Sequence, residues 1–417
     1  VILKQKHSLI GMDITRNSLK LVQFRSKGGR PALLAAARLD LGFPNNGNGL
    51  DEQAAFVRQL KKLLAARRFG TRRAAISLPP QDLDIRPLTL PVDEHDVAKK
   101  VRWEAESYVG YDIENAVIDH VVLGEAKSAG ERRLEVLAAS ADKAKVVRSL
   151  ELLGRAGLVV EAIDILPLAI CRVLHAMHPE PERAVAAIDV GAHGTRAVIM
   201  YNDELRMTRP IDIGGDALTQ AICSGLEIST EEAEVLKHQH GAGAITDTPA
   251  DPDHPTDTAR FEESVKIPRI INDILRDKLD FLASELQKLF RYFSAQNQGR
   301  TIEQVVLVGG GASLKHLDTL LAERLNTQVE VGEPLTRIAT QAPELKEGNE
   351  GSFAAAAGLA LRGMSDADRQ PDTPGLCQHT ALETPAHHLG RRDGGRRAGD
   401  VRARAPYGQA GRAEDAD

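Results

Sequence analysis

The strongest constraint on this chain is a stretch that it contains twice. One copy runs Ile10-Gly11-Met12-Asp13-Ile14-Thr15-Arg16-Asn17-Ser18-Leu19-Lys20-Leu21-Val22. The other runs Ala186-Ala187-Ile188-Asp189-Val190-Gly191-Ala192-His193-Gly194-Thr195-Arg196-Ala197-Val198. Each reads as an apolar strand, an Asp, a short polar turn and a second apolar strand. Asp13 aligns with Asp189, and seven residues further on Lys20 aligns with Arg196. A duplicated strand-turn-strand with an acid at each strand end predicts two similar lobes facing each other across a cleft.

Chemistry gives such a repeat a purpose. The turn of each hairpin presents backbone N–H groups to one side, a donor surface suited to phosphate oxygens. The Asp cannot take phosphate itself, but it can hold the water shell of a Mg²⁺ that does. For one copy alone, an ordinary β-hairpin with a turn-capping Asp is the better reading. Two copies in register, together with a Gly-rich turn at Gly309-Gly310-Gly311, shift the balance toward a nucleotide.

A chain of 417 residues has room for two or three domains. Its net charge of −6 gives no general attraction to nucleic acid. Cys171, Cys223 and Cys377 stand far apart without metal-ligand spacing, which predicts unpaired thiols in a reducing compartment. No apolar signal core opens the sequence, and no run approaches the ~20 apolar residues of a membrane span. The expectation is a cytoplasmic protein.

In chain order, strands at 31–41 and 74–78 and a helix at 51–68 complete the start of an α/β lobe. From 84 to 160 the pattern changes. A strand at 85–90, a helix at 93–107, two strands at 117–123 and 133–140 joined by a polar turn at 124–131, and a helix at 142–157 predict an inserted α/β subdomain. Trp103, the only tryptophan, is expected in its core, with a partner-facing patch as the alternative. A strand at 159–166 and a helix at 167–177 lead into the second hairpin.

Beyond it come Gly214-Gly215-Asp216 opening a helix, and an acidic-ended helix at 231–238. A Gly/Pro/Asp-rich loop spans 241–257. One long amphipathic helix follows at 261–293, with Pro268 a point of interruption. Val306-Leu307-Val308-Gly309-Gly310-Gly311-Ala312-Ser313 is a strand leading into bare backbone, against which a ligand can lie. The helix at 351–361 is almost all Ala and Gly, which invites close approach of a second helix. From about residue 363 to 417 Pro, Gly, Arg and Asp dominate, and a disordered tail without function is expected; its scattered histidines read as solvated low-complexity sequence.

The two hairpins, Gly214-Gly215-Asp216 and Gly309-Gly310-Gly311 together resemble the actin, Hsp70 and sugar-kinase ATPase superfamily. Within it, the insertion and the segments Arg102-Trp103-Glu104-Ala105-Glu106, Tyr111-Asp112-Ile113 and Ile213-Gly214-Gly215-Asp216-Ala217-Leu218-Thr219 are similar to the FtsA/PilM branch. The resemblance covers roughly residues 8–362. It implies a two-lobed actin-like ATPase (ribonuclease H-like) α/β fold with an FtsA-like inserted subdomain. The first lobe would be 8–83 and 161–182, with 351–362 returning to it, the insertion 84–160 and the second lobe 183–350.

The resemblance further implies ATP and Mg in the cleft. Asp13, Thr15, Arg16, Asn17 and Lys20, with Asp189, Gly191, Ala192, His193, Gly194 and Thr195, would surround the phosphates. Asp13 and Asp189 would hold Mg through water, and Lys20 would be the phosphate cation. Gly214, Gly215, Asp216, Gly309, Gly310, Gly311 and Ser313 would line the nucleoside, and Glu234 and Lys237 match adenosine-contacting positions. The implied role is a scaffold of the type IV pilus inner-membrane complex. It would bind the cytoplasmic N-terminus of a PilN-like membrane protein, connect to motor ATPases, and sit peripherally at the inner membrane through that partner.

Two departures favour binding over hydrolysis. Thr15 and Arg16 stand where such hairpins carry Gly and Ser, and Leu166 stands where relatives often carry an acid that orients water. A phosphotransferase of the same superfamily remains the alternative, although the sequence offers no convincing base or acceptor pocket. A membrane-tethered division protein would need a C-terminal amphipathic helix, which 364–417 does not supply.

Overall fold

The duplication extends from the hairpins to whole sheets. The computed structural model describes residues 7–15, 18–41, 50–91, 96–128, 131–180, 182–242, 258–339, 349–362 and 364. The chain begins with β1 (Ile10–Ile14), β2 (Ser18–Lys27), β3 (Arg30–Asp40), α1 (Leu50–Ala66) and β4 (Arg73–Ser77). It continues through β5 (Asp84–Pro91), α2 (Val97–Glu106), β6 (Ala116–Ser128), β7 (Glu131–Asp142) and α3 (Lys143–Arg155), then β8 (Val159–Asp164) and α4 (Leu166–Met177). The second half holds β9 (Val185–Val190), β10 (Thr195–Tyr201), β11 (Glu204–Ile211), α5 (Gly215–Leu226), α6 (Thr230–His240) and α7 (Thr258–Gln296). It closes with β12 (Gln304–Val308), α8 (Leu317–Leu325), β13 (Gln328–Val331), α9 (Pro334–Ile338) and α10 (Ala354–Leu361).

Two five-stranded sheets have the same plan. The first runs β3-β2-β1-β4-β8 and the second β11-β10-β9-β12-β13. In each, three antiparallel strands adjoin two parallel ones. The third sheet, β5-β7-β6, is wholly antiparallel and formed within residues 84–142.

Alternation along the strands divides the core. Val185, Ala187, Val198 and Met200 share one cluster with Val22 and Phe24 of the first sheet, Ile170, Val173 and Leu174 of α4, and Ala356, Ala357 and Ala360 of α10. The intervening residues Ala186, Ile188, Ala197 and Ile199 face the other way, onto α7. That helix buries Ile271, Leu275, Leu279, Leu282, Leu286, Leu289 and Phe293, a stripe of helical period. Each such side chain contributes about 1.5–3 kcal/mol by leaving water.

The helices α4 and α10 lie within the first of these clusters, and small residues set their spacing. A Cβ on Gly358 would fall 1.9 Å from the Ala169 carbonyl oxygen, and one on Gly11 would fall 1.9 Å from that of Ala356. The alanine and glycine run thus permits the close approach expected of it.

Four expectations change. The polar stretch at 124–131 is not a turn: β6 runs on to Ser128, and β7 resumes at Glu131. A bulge between Val122 and Gly124, with Gly124 at φ +136°, lets the ladder continue, and Glu125 pairs with Arg132 on its exposed face. Trp103 is not core; it is 61% exposed, with Lys100 Nζ 3.5 Å above its ring. Pro268 does not end α7, which runs through it from Thr258 to Gln296. The short helix α9 has no counterpart in the sequence reading. The 243–257 part of the expected surface loop, and all of the expected tail beyond Met364, lie outside the described residues. Among the described residues, no helix is long and apolar enough to cross a membrane.

Candidate functional site

The register of β1 and β2 sets Asp13 directly opposite Lys20, and that of β9 and β10 sets Asp189 opposite Arg196. Cross-strand partners share a sheet face, so each acid has a cation beside it by construction. Asp13 and Lys20 are buried, with Lys20 Nζ 3.6 Å from Asp13 Oδ2. Ser77, the last residue of β4, donates its hydroxyl to Asp13 Oδ1 at 3.4 Å.

Charge connects the two lobes. Burial raises the Asp13 carboxyl above its ordinary pKa, and Lys20 only partly opposes this. Burial, joined by repulsion from Asp13, pushes Asp189 up to about 6, with Arg196 and Lys20 pulling the other way. The charge of an acid in one sheet therefore disfavours the charged form of an acid in the other. A divalent cation would relieve both, and the donor set of two carboxylates fits one held through water. Among the described residues, no group of three or more His, Cys, Asp or Glu could form a denser metal centre.

The first hairpin closes on its own side chains. The Thr15 hydroxyl donates to the Ser18 carbonyl at 2.9 Å and accepts from the Ser18 amide at 3.1 Å. This hydroxyl, expected at phosphate, is engaged in the turn. Arg16 and Asn17 lie outside the described residues.

The second hairpin is fastened to the start of α5. The Gly191 amide donates to the Gly194 carbonyl at 2.9 Å; Gly215 and Asp216 donate theirs to Gly191 and Ala192 at 3.0 and 2.8 Å. A Cβ on Gly214 would come within 2.5 Å of the Ala192 oxygen and the Gly194 nitrogen. Thr195 Oγ1 donates to the Ile213 carbonyl at 2.6 Å, and His193 Nδ1 lies 2.5 Å from Asp216 Oδ2. Residues 191–195 and 214–216, far apart in sequence, form one rigid loop pair.

Behind it, Lys237 is buried and donates to the Gly215 carbonyl at 3.2 Å, Thr219 Oγ1 at 2.7 Å and Glu234 Oε2 at 2.6 Å. Burial acts to raise the Glu234 carboxyl, but the Lys237 and Thr219 hydrogen bonds outweigh it and hold its pKa below the usual value. The third glycine run closes the other side. Gly309 has φ +87°, and a Cβ there would fall 2.4 Å from Asp189 Oδ1. Gly310 has open space where a side chain would be. Asn349 Nδ2 ties the Gly310 carbonyl at 2.8 Å to Ser313 Oγ at 3.0 Å.

The structure thus links Asp13, Lys20, Asp189 and Gly309 through charge and close approach, and ties residues 191–195 to 214–216 with Thr219, Glu234 and Lys237 behind them. Sequence reasoning missed Ser77, Thr219 and Asn349, which act through contacts distant in sequence. It saw Arg196 as half of the repeat but did not place it in the site.

At the strand-to-helix crossing, Asp164 is fully buried. Its Oδ2 pairs with Arg172 Nη2 at 2.8 Å and Arg362 Nη1 at 2.7 Å, and its Oδ1 accepts from the Ile165 amide at 2.8 Å. Burial alone would raise its pKa, but the two guanidiniums prevail and lower it. A carboxylate so held is a poor proton acceptor for an attacking water.

The insertion also reaches the second lobe. Arg206 of β11 donates Nη1 to the Leu123 carbonyl at 2.9 Å, and the Tyr292 hydroxyl of α7 donates to Glu135 Oε1 at 3.3 Å.

Comparison with known proteins agrees with this architecture. A family model for the type IV pilus assembly protein PilM matches residues 11–246, and one for the cell division protein FtsA matches residues 186–358. FtsA of Enterococcus hirae is 27% identical over 183 residues, 43% of this chain and 40% of that protein. FtsA of Bacillus subtilis (strain 168) is 38% identical over 92 residues, 22% of this chain and 21% of that protein. The chain therefore spans less than half the length of these curated relatives. A solved structure, a PilM-PilN type IV pilus biogenesis complex, is 28% identical with a TM-score of 0.66, covering 86% of this chain and 99% of that one. The fold is the two-lobed actin-like one with an FtsA-like inserted subdomain. With the first family model matching residues 11–246 of the 417, the chain belongs to the type IV pilus assembly protein PilM family.

Proposed function

We propose that this protein is an ATP-binding adaptor of the type IV pilus machinery, which holds Mg-ATP between its lobes and carries the cytoplasmic N-terminus of a PilN-like inner-membrane protein. One observation carries the reading: Asp13 and Asp189 come from duplicated hairpins of different sheets, and the charge of Asp13 raises the Asp189 carboxyl, a repulsion that a divalent cation would relieve. In this reading Asp13 and Asp189 hold Mg through water, and Lys20 faces the phosphates. Residues 191–195 and 214–216 support the phosphate chain, with Glu234, Lys237 and Ser313 behind the nucleoside. The unobstructed Gly310 offers backbone against which a base lies. The lobe limits set out above, 8–83, 161–182 and 351–362 against 183–350, with 84–160 inserted, belong to this proposal.

The partner rests on kinship. The similar solved structure is named as a PilM-PilN complex. Trp103 gives the insertion an exposed aromatic suited to an extended peptide. The Arg206–Leu123 and Tyr292–Glu135 contacts join the insertion to the second lobe, so a nucleotide that sets the lobe angle also sets the insertion. Hydrolysis is weak or absent in this account, because Asp164 is held by two arginines. The protein then sits at the cytoplasmic face of the inner membrane through its partner, within reach of the motor ATPases.

The test is binding of a fluorescent peptide copying that cytoplasmic segment, with Mg-ATP and without nucleotide. The reading expects saturable binding whose affinity depends on Mg-ATP. Saturable binding indifferent to Mg-ATP would remove the nucleotide coupling, and no binding would remove the partner.

A further inference from the structure

We propose that the outward face of α1 and α3 binds the anionic surface of a phospholipid bilayer directly, through cations that have no partner within the protein. This goes beyond the nucleotide and partner readings and depends on neither.

The sequence concentrates charge here. Between Arg58 and Arg73 a chain that is negative overall holds seven Lys or Arg and no Asp or Glu. Arg58, Lys61 and Lys62 precede the last turn of α1, so attraction to the helix dipole does not account for them. The acids of α1, Asp51 and Glu52, stand in its first turn. From Glu52 to Lys62 is about 15 Å along the axis, and exposed charges separated by more than about 8 Å are largely screened from each other. The helix α3 carries one acid, Glu151, against Lys143, Lys145, Arg148 and Arg155.

Packing turns these cations outward. α1 buries Phe56, Val57, Leu60 and Leu64, and the helical period then sets Arg58 and Lys62 on the opposite face. α3 buries Val146 and Leu153, and Arg148 and Arg155 stand opposite them. The two helices lie against each other, so their outward faces adjoin. Arg58, Lys62, Arg67, Arg68, Arg148 and Arg155 are all exposed, and none of them forms an ion pair among the described residues. Elsewhere exposed arginines such as Arg132, Arg276, Arg324 and Arg337 each have a carboxylate beside them.

The make-up of the face says what covers it. Among the described residues of α1 and α3, Val147 is the only large apolar side chain that stands exposed. A stable protein interface is organised around a desolvated apolar or aromatic centre and is depleted in Lys. A bilayer surface asks for neither a pocket nor a register. It is a diffuse layer of phosphate charge, to which each nearby Lys or Arg adds attraction. Two helix backs side by side, convex and cationic, fit that layer better than they fit a folded partner.

The experiment is sedimentation of the full chain with vesicles, either of phosphatidylcholine alone or of equal parts phosphatidylcholine and phosphatidylglycerol. It compares the wild type with Arg58→Gln/Lys62→Gln/Arg148→Gln and with Lys266→Gln/Lys278→Gln/Arg291→Gln. The second triple variant removes as much charge from exposed positions of α7. The wild type is expected to bind the anionic vesicles at least tenfold more tightly than the neutral ones, and to lose that binding on raising KCl from about 0.05 M to about 0.5 M. The α1–α3 variant should bind them at least tenfold more weakly, and the α7 variant within threefold of wild type, each melting as the wild type does. If the α1–α3 variant does not fold, Arg67→Gln/Arg68→Gln is measured instead, with at least a threefold loss expected. No preference of the wild type for anionic vesicles, or an equal loss in both triple variants, overturns the proposal. So does capture of the wild type by poly-L-glutamate, at the same concentration of negative charge, as tight as capture by the vesicles; the face would then belong to an acidic protein segment.

Discussion

Asp13 and Asp189 come from different sheets and meet electrostatically: the charge of Asp13, with burial, lifts the Asp189 carboxyl to about 6. Each has its own cation across the ladder. The cleft is therefore a place where negative charge is costly until something positive is added.

Asp13→Asn should leave the fold intact and weaken Mg-ATP binding by tenfold or more. The isosteric amide keeps one oxygen for the Ser77 hydroxyl but loses the ion pair with Lys20 and cannot hold the water shell of a cation. Titration of Mg-ATP against wild type and variant, with a melt of each, checks this; equal affinities would place the cation elsewhere.

The raised Asp189 carboxyl gives two pH dependences of opposite sign. Folded Asp189 binds a proton more readily than the unfolded chain, so its burial cost, on the order of 2–3 kcal/mol, is felt above pH 6 and relieved as pH falls toward 3.8. The nucleotide-free protein should gain stability from this group over that window. Mg-ATP needs the ionised form, so its affinity should be about fourfold lower at pH 5.5 than at pH 7.5. Asp189→Asn should bind more weakly and lose the part of both trends that this group supplies. A wild-type affinity that does not fall toward pH 5.5 would mean that Asp189 takes no part.

Gly309 and Gly310 are neighbours with opposite expectations. At φ +87° and with a Cβ 2.4 Å from Asp189 Oδ1, Gly309→Ala should destabilise the protein by about 2–4 kcal/mol in urea unfolding. Gly310→Ala meets nothing within 4 Å and should unfold like the wild type, while weakening Mg-ATP several-fold. Equal unfolding midpoints for the two variants would contradict this local geometry.

Trp103→Ala should lower affinity for the PilN-like cytoplasmic peptide at least fivefold and leave Mg-ATP binding and the melting temperature unchanged. A side chain this exposed contributes little to the core. A large drop in melting temperature would instead mark it as structural.

Much of this was legible in the sequence because the decisive signals are local. The paired acids and cations of the hairpins are set by period-two alternation, and both sheets follow from their repetition. The glycine run at 309–311 read as bare backbone, and the structure packs Gly309 and Gly311 against Asp189 and Val190 while leaving Gly310 open. What was not legible depends on distant contacts. Ser77 ends an unremarkable strand, and its role appears only when β4 lies beside β1. Thr15 looked free for phosphate, but Ser18 engages it. The polar run after Gly124 imitates a turn because an exposed ladder and a loop have the same composition. Trp103 shows the limit of residue-type reasoning, since its exposure follows from the placement of α2, not from its chemistry.

The most direct test of the central claim is to equilibrate the purified protein with Mg-ATP, remove free nucleotide, and identify by chromatography what stays bound over an hour. The account predicts close to one ATP per chain, turning over slowly, with Asp13→Asn retaining far less. Empty protein, or rapid conversion with release of ADP, would contradict an adaptor whose shape is held by bound ATP.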